Sequence, residues 1–210
     1  MARRLRGRPL GRRFYARDPR ELAPLLLNKV LADGRPGLDR VAARIVEVEA
    51  YCGSEDPGSH AYRGPTPRNR TMFGPPGHLY VYFTYGMHWC ANVVCGPRGT
   101  ASAVLLRAAS VVNGLEVARA RRSGIADRDL ARGPARLAKT LGLTGADNGI
   151  DVLDPAGDLR LRLADPVPDG EVAAGPRVGL RLAAEVPWRF WIDGDPAVSA
   201  YRPATKRVAR

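Results

Sequence analysis

The stretch that most restricts the fold is LDRVAARIVEVEAY, residues 38–51. It alternates apolar and polar residues and is rich in branched side chains, the mark of a strand. Successive strand side chains point to opposite faces, so Val46 and Val48 share one face while Glu47, Glu49 and Tyr51 share the other. The valines are expected to pack in the core. The two carboxylates and the tyrosine then face either solvent or a cleft. A lone E-x-E is most often an ordinary solvent-facing pair, so the choice depends on what the rest of the sequence brings near it.

Further strands surround this one. GHLYVYFTYGMHWCANVV reads as two strands about a turn near Tyr85-Gly86, and TASAVLLRA as a third. Short strands at 159–163, 177–183 and 188–193 finish the chain. DPRELAPLLLNKVLADG carries helix signals: Asp18 as cap, Pro19 in the first turn, Glu21 three residues on and Gly34 as stop. Pro24 either kinks that helix or marks its true start. Helical patterns follow at 113–122 and 133–142, the latter opening with Gly133-Pro134 and closing at Gly142. Strands and helices mix without a regular βαβ rhythm, which predicts an α+β fold. At 210 residues, with no internal repeat or low-complexity linker, the chain reads as one domain around one core.

Charge narrows the partners. Lys and Arg number 33 against 21 Asp and Glu, a formal net charge of +12. Such a surplus points to a polyanion, most simply nucleic acid, although heavy Arg, Ala, Gly and Pro usage also fits a GC-rich genome. The N-terminal MARRLRGRPLGRRFYARDP is basic but lacks the apolar core of a signal peptide. Residues 1–13 read as a flexible arm able to touch phosphate, and 14–210 as the folded domain. No apolar run approaches ~18 residues, so no membrane span is expected and the chain reads as cytoplasmic. Cys52, Cys90 and Cys95 are odd in number, which favours reduced thiols over a disulfide framework. They have no second pair, and His60, His78 and His88 do not fall at finger spacing, so no metal site is expected.

Chemistry gathers downstream of the glutamates. In HLYVYFTYGMHW, Tyr80 and Tyr82 share a strand face and Tyr85 falls at the turn. Turn tips are normally exposed, and an exposed aromatic beside basic residues suggests stacking on bases. Just upstream, RGPTPRNRTMFGPPG packs Arg63, Arg68, Asn69 and Arg70 between turn formers, a loop able to follow a phosphate backbone.

RIVEVEAYCGSEDPGSH, TPRNRTMFGPPGHLYVYFTYGMHWCANVV and AVLLRA, followed by GPARLAKTLGL and PRVGL, resemble the motifs of the alkyladenine (3-methyladenine) DNA glycosylases. The resemblance runs from about residue 14 to residue 200, in order, and leaves the basic arm outside. It implies a compact single α+β domain with a curved antiparallel sheet flanked by helices and a protruding hairpin that intercalates into DNA. It also implies a monomer acting in base excision repair on double-stranded DNA with damaged purines, at the bacterial nucleoid, with no metal or other cofactor. By the same resemblance Glu49 is the base that activates a water, Arg107 helps to hold that water, and Val178 offers a backbone carbonyl nearby. Tyr51 and His60 wall the base pocket with Tyr82 opposite, Leu105 lines it, and Asn92 penalises the 2-amino group of guanine. Tyr85 is the minor-groove wedge, and Met72, Arg63, Arg68, Asn69 and Arg70 lie on the DNA side. Glu47 is left a supporting role.

Two other classes share parts of this pattern. A non-catalytic nucleic-acid binder would have the same charge and aromatics but release no base from methylated DNA. A metal-dependent nuclease using Glu47 and Glu49 would be abolished by EDTA, which should leave a glycosylase untouched.

Overall fold

The computed structural model describes residues 10–33, 40–154, 159–162 and 167–204. The first nine residues of the basic arm, and Gly34, lie outside these. Four helices, α1 (Arg12–Tyr15), α2 (Pro19–Leu26), α3 (Leu115–Arg121) and α4 (Pro134–Leu141), flank one sheet. Its strands are β1 (Val30–Asp33), β2 (Ala42–Cys52), β3 (Leu79–Thr84), β4 (His88–Cys95), β5 (Ser102–Asn113), β6 (Leu159–Arg162), β7 (Val172–Gly175) and β8 (Arg189–Ile192). The sheet runs β3-β4-β5-β2-β1-β6, with β8 paired to both β2 and β7. Every pairing is antiparallel, so the architecture is the α+β one expected.

β2 sits at the centre. Along its whole length it pairs with β5, from Ala42 opposite Asn113 to Cys52 opposite Ser102. Its other edge is shared: β1 takes residues 42–44 and β8 takes residues 47–49. Val46 and Val48 are fully buried in the main core with Leu22 and Leu26 of α2 and Leu137 and Leu141 of α4. Each such side chain contributes about 1.5–3 kcal/mol of apolar burial. The opposite face, however, is not open to water. Glu47 and Glu49 are both fully buried. Register shifts on either side of Glu47 mark a bulge, a device that re-aims side chains within a strand.

Several boundaries differ from the sequence reading. The first long helix starts at Pro19, with the Asp18 carboxylate accepting from the Arg20 amide, and tolerates Pro24 inside it. It does not continue to Gly34. Pro24 has no N–H to give the helix, the chain turns at Asn28 with φ 65°, and residues 30–33 join the sheet. The segment 177–183 is a loop rather than a strand: Gly179 and Ala183 take φ of 73° and 49°, and β7 lies just before it. α4 ends as expected at Gly142, whose φ of 70° lets its N–H reach the carbonyls of Ala138 and Lys139.

β3 and β4 form a hairpin with Phe83 opposite Trp89 and Thr84 opposite His88. At its tip Tyr85 takes φ 51° and is 85% exposed. Gly53, φ 58°, turns the chain sharply after β2, where a Cβ would meet the Thr100 carbonyl oxygen at 2.1 Å. No described helix is long and apolar enough to cross a membrane.

Candidate active site

The strand pleat puts Glu47 and Glu49 on one face, and Arg107 of β5 lies between them. Glu47 Oε1 accepts from Arg107 Nε at 2.8 Å, Arg189 Nε at 2.7 Å and the Ser199 hydroxyl at 2.9 Å. Its Oε2 accepts from the Ser199 amide at 2.7 Å. A carboxylate has roughly four acceptor positions, and protein alone makes four bonds to Glu47, three on Oε1 and one on Oε2. Burial pushes its pKa up, but Arg107, Arg189 and the Ser199 bonds outweigh that and hold it below its ordinary value.

Glu49 is held differently. Its Oε1 accepts the Val178 N–H at 2.7 Å and lies 3.3 Å from Arg107 Nη1. Its Oε2 accepts the Tyr51 hydroxyl at 2.9 Å. That leaves about one acceptor position open, and Glu49 lines a cavity of about 290 Å³. Val178 thus meets Glu49 through its amide N–H, a contact separate from the carbonyl that the resemblance places near the water. Burial works against the Arg107 cation, yet the paired charges of Glu49 and Glu47 raise its pKa.

Register builds the cavity floor. Leu105 of β5 pairs with Glu49 on one side and Asn92 of β4 on the other. The three form a row across the sheet, with the Glu49 and Asn92 backbones two strand spacings apart, roughly 10 Å. Asn92 is buried, and its Nδ2 donates to the Tyr80 carbonyl at 3.2 Å. Aromatic walls rise from this floor. Tyr80 and Tyr82 stack with centroids 5.2 Å apart, and the His60 ring meets Tyr82 edge-on at 4.6 Å. His60 and Tyr82 therefore touch rather than stand on opposite sides of a gap.

Burial and the Arg68 cation both lower the His60 pKa, which keeps the imidazole neutral at neutral pH. Burial, and then the Glu49 charge, hold the Tyr51 phenol well above its ordinary value. The Tyr82 phenol is also raised, by burial first and then by Cys90. The wall is uncharged except for the carboxylate and its guanidinium.

Outside the cavity the picture is mixed. Tyr85 reaches the cavity mouth from the hairpin tip. Arg63, Arg68 and Arg70 are exposed. Arg68 is also tied to the hairpin, donating to the Phe83 carbonyl at 2.6 Å and lying 5.8 Å from the Tyr82 ring centre. Two DNA-side assignments need correction. Asn69 is 2% exposed, and its amide is spent inside the loop, accepting from Thr66 N and donating to the His60 and Gly64 carbonyls. It shapes the loop and offers no side chain to phosphate. Met72 is 4% exposed and packs with Tyr80 and Ala61, lining the cavity rather than an outer surface.

Sequence reasoning missed Arg189, Ser199 and the buried pair Arg177–Asp56. Arg177 and Asp56 do stand in PRVGL and SEDPGSH, within two residues of Val178 and four of His60. The arrangement is a poor cation site, because the Arg107 guanidinium already lies against both glutamates. That weighs against a two-carboxylate metal nuclease. A buried carboxylate with one free acceptor direction, at the floor of an aromatic slot, can instead take a proton from a water while a flat ring lies beside it.

Comparisons with known proteins agree with this geometry. The family model described as methylpurine-DNA glycosylase matches residues 13–196. A Streptomyces avermitilis protein named "Putative 3-methyladenine DNA glycosylase" is 54% identical over 205 residues, covering 96% of each chain. Proteins of the same name from Burkholderia lata and Nocardia farcinica are 51% and 53% identical, covering 96% and 88% of this chain and 95% and 88% of their own. With the match running through nearly every element that builds the cavity, the chain belongs to the methylpurine-DNA glycosylase family.

Proposed function

We propose that this DNA glycosylase removes 3-methyladenine and 7-methylguanine from duplex DNA by flipping the damaged nucleotide into the aromatic cavity, with hypoxanthine as a slower substrate. A base inside the stack is out of reach, and extruding it costs a few kcal/mol. Tyr85, exposed at the hairpin tip beside the cavity mouth, fills the gap left behind. Alkylation at a ring nitrogen makes the purine cationic. Between tyrosine faces such a ring gains ~1–2 kcal/mol over ordinary stacking, and a neutral His60 does not repel it.

Glu49 accepts the proton of a water whose oxygen attacks C1′ of the deoxyribose. The N-glycosidic bond breaks, its electron pair leaves with the purine, and an abasic site remains. The carboxylate also stabilises positive charge developing on the sugar. A cationic purine departs as a neutral base without an acid, whereas hypoxanthine gains no such help, hence its lower rate. Arg107 steadies Glu49 and the water; Glu47 holds Arg107. Asn92 stands where a 2-amino group would meet the cavity edge. Arg63, Arg68 and Arg70 follow the phosphates, and the basic N-terminal residues add charge to that contact. The enzyme works as a monomer on the nucleoid.

The observation that carries this reading is the contrast between the two buried glutamates, one met by four protein donors away from the cavity and one lining the cavity with an acceptor direction left open. Base release from duplexes containing each lesion, with EDTA present, tests it. Release of methylated purines with little strand scission is expected; a metal requirement, or binding without release, would contradict it.

A further inference from the structure

The cavity walls come from three parts of the chain: Tyr51 near the end of β2, the 53–60 loop bearing His60, and the 177–180 segment bearing Val178. One side chain touches all three. Arg177 is fully buried and grips Asp56 bidentately, Nη1 on Oδ2 and Nη2 on Oδ1 at 2.8 Å. The same Nη1 donates to the Ala50 carbonyl at 3.0 Å. Its guanidinium carbon lies 4.7 Å from the Tyr51 ring centre and 5.0 Å from that of Trp188. Asp56 in turn accepts from the amides of Cys52 at 3.2 Å and Gly58 at 2.9 Å. The fit is tight: a Cβ at Gly58 would meet Leu180 Cδ1 at 2.7 Å and Arg177 Nη2 at 2.9 Å.

A buried ion pair is an inefficient source of stability, because desolvation offsets most of the attraction. This one leaves the Arg177 Nε–H without a partner, a further cost. What a planar fork supplies, and an apolar pair does not, is a fixed direction. We propose that Arg177 is a positioning residue for base excision: its fork on Asp56 sets the Tyr51 hydroxyl and the Val178 amide at the separation that holds Glu49. Arg177 stands behind the cavity wall and is not among the residues lining it. It acts through the two donors that grip the two oxygens of Glu49. The proposal rests on the reading of Glu49 as the general base.

The test is single-turnover excision of a 7-methylguanine duplex across a pH series, with lesion-duplex affinity and thermal melting measured alongside. The variants are Arg177→Met, Arg177→Lys, and the double variant Arg177→Met with Asp56→Leu, an apolar replacement of the kind that commonly preserves folding. Leu22→Ala, which opens a core cavity in α2, serves as the control for lost stability alone. Arg177→Met and the double variant should excise ~10²-fold more slowly, the scale of a misplacement near 1 Å, while lesion affinity stays within a few-fold. The acid limb of Arg177→Met should move to higher pH, because a cation beside the Tyr51–Glu49 pair is gone while the Asp56 anion stays; the double variant removes both charges and should shift less. Arg177→Lys, with charge but no fork, should recover the limb and only part of the rate. Leu22→Ala should melt earlier and excise normally. If the double variant folds with wild-type rate, or if Arg177→Met merely melts earlier as Leu22→Ala does, the proposal is overturned. If wild-type protein releases no base, the reading of Glu49 falls and this proposal with it; if wild type is active, Glu49→Gln inactive and the Arg177 variants normal, only the positioning role falls.

Discussion

The backbone N–H of Val178 donates to Glu49 Oε1 at 2.7 Å, joining residues 129 apart in the chain. A backbone donor cannot rotate away, so this contact fixes one carboxylate oxygen while the Tyr51 hydroxyl fixes the other. Preorganised groups of this kind cost no rearrangement at the moment of reaction. Two positions away, Glu47 is as deeply buried, but it takes four bonds from Arg107, Arg189 and Ser199 and lines no part of the cavity. The division of labour between the two glutamates follows from who donates to each.

Glu47 should therefore reveal itself in stability. Its carboxyl titrates below the ordinary 4.5 because its arginine partners and Ser199 outweigh burial. A carboxyl depressed in the folded state contributes stability in full above about pH 4.5, and that contribution is lost as pH falls through the folded value. Glu47→Gln leaves two buried guanidinium groups short of charge and should cost about 3–5 kcal/mol at neutral pH. The gap to wild type should narrow at strongly acid pH, once the wild-type carboxyl is protonated too. Urea midpoints at the two pH values check this, and an equal gap at both would mean Glu47 carries no net electrostatic stabilisation.

How far the sequence could be read follows the range of the interactions involved. The β2 alternation, the Tyr85-Gly86 turn and the Gly133-Pro134 to Gly142 helix are set by neighbours within a few residues, and all were legible. The burial of Glu47 depends on Arg189 and Ser199, which lie 142 and 152 residues away. No local pattern reports that. Arg177 misled the reading of 177–183, since apolar neighbours on either side mimic a strand while the positive φ of Gly179 breaks it. Asn69 sits among arginines in sequence but turns inward, because its amide closes the loop. The pocket residues themselves were found by resemblance, and the strand parity behind them by physics.

Tyr85→Ser should weaken lesion-duplex binding and slow excision, because nothing then occupies the vacated position in the stack. At 85% exposure the residue makes little contribution to the core, so melting should barely change. Single-stranded substrate should suffer less. Comparing the two substrates is decisive: equal losses on both would assign Tyr85 to packing of the cavity mouth.

Asn92→Ser should admit purines carrying a 2-amino group by removing bulk and a misdirected donor from the cavity edge. Slow release of normal guanine is the expected gain. The Asn92 Nδ2 bond to the Tyr80 carbonyl is also lost, at about 1 kcal/mol. Should guanine stay refractory while methylated purines are still released, the discrimination lies elsewhere in the cavity.

The central claim is that Glu49 takes a proton from the attacking water. Glu49→Gln keeps size and polarity and still meets the Val178 amide, but it cannot accept that proton. Single-turnover excision should fall by at least ~10²–10⁴-fold, the usual worth of a general base, while affinity for the lesion duplex persists through the tyrosines, the hairpin and the arginines. A Glu49→Gln enzyme that excises at the wild-type rate would contradict the mechanism outright.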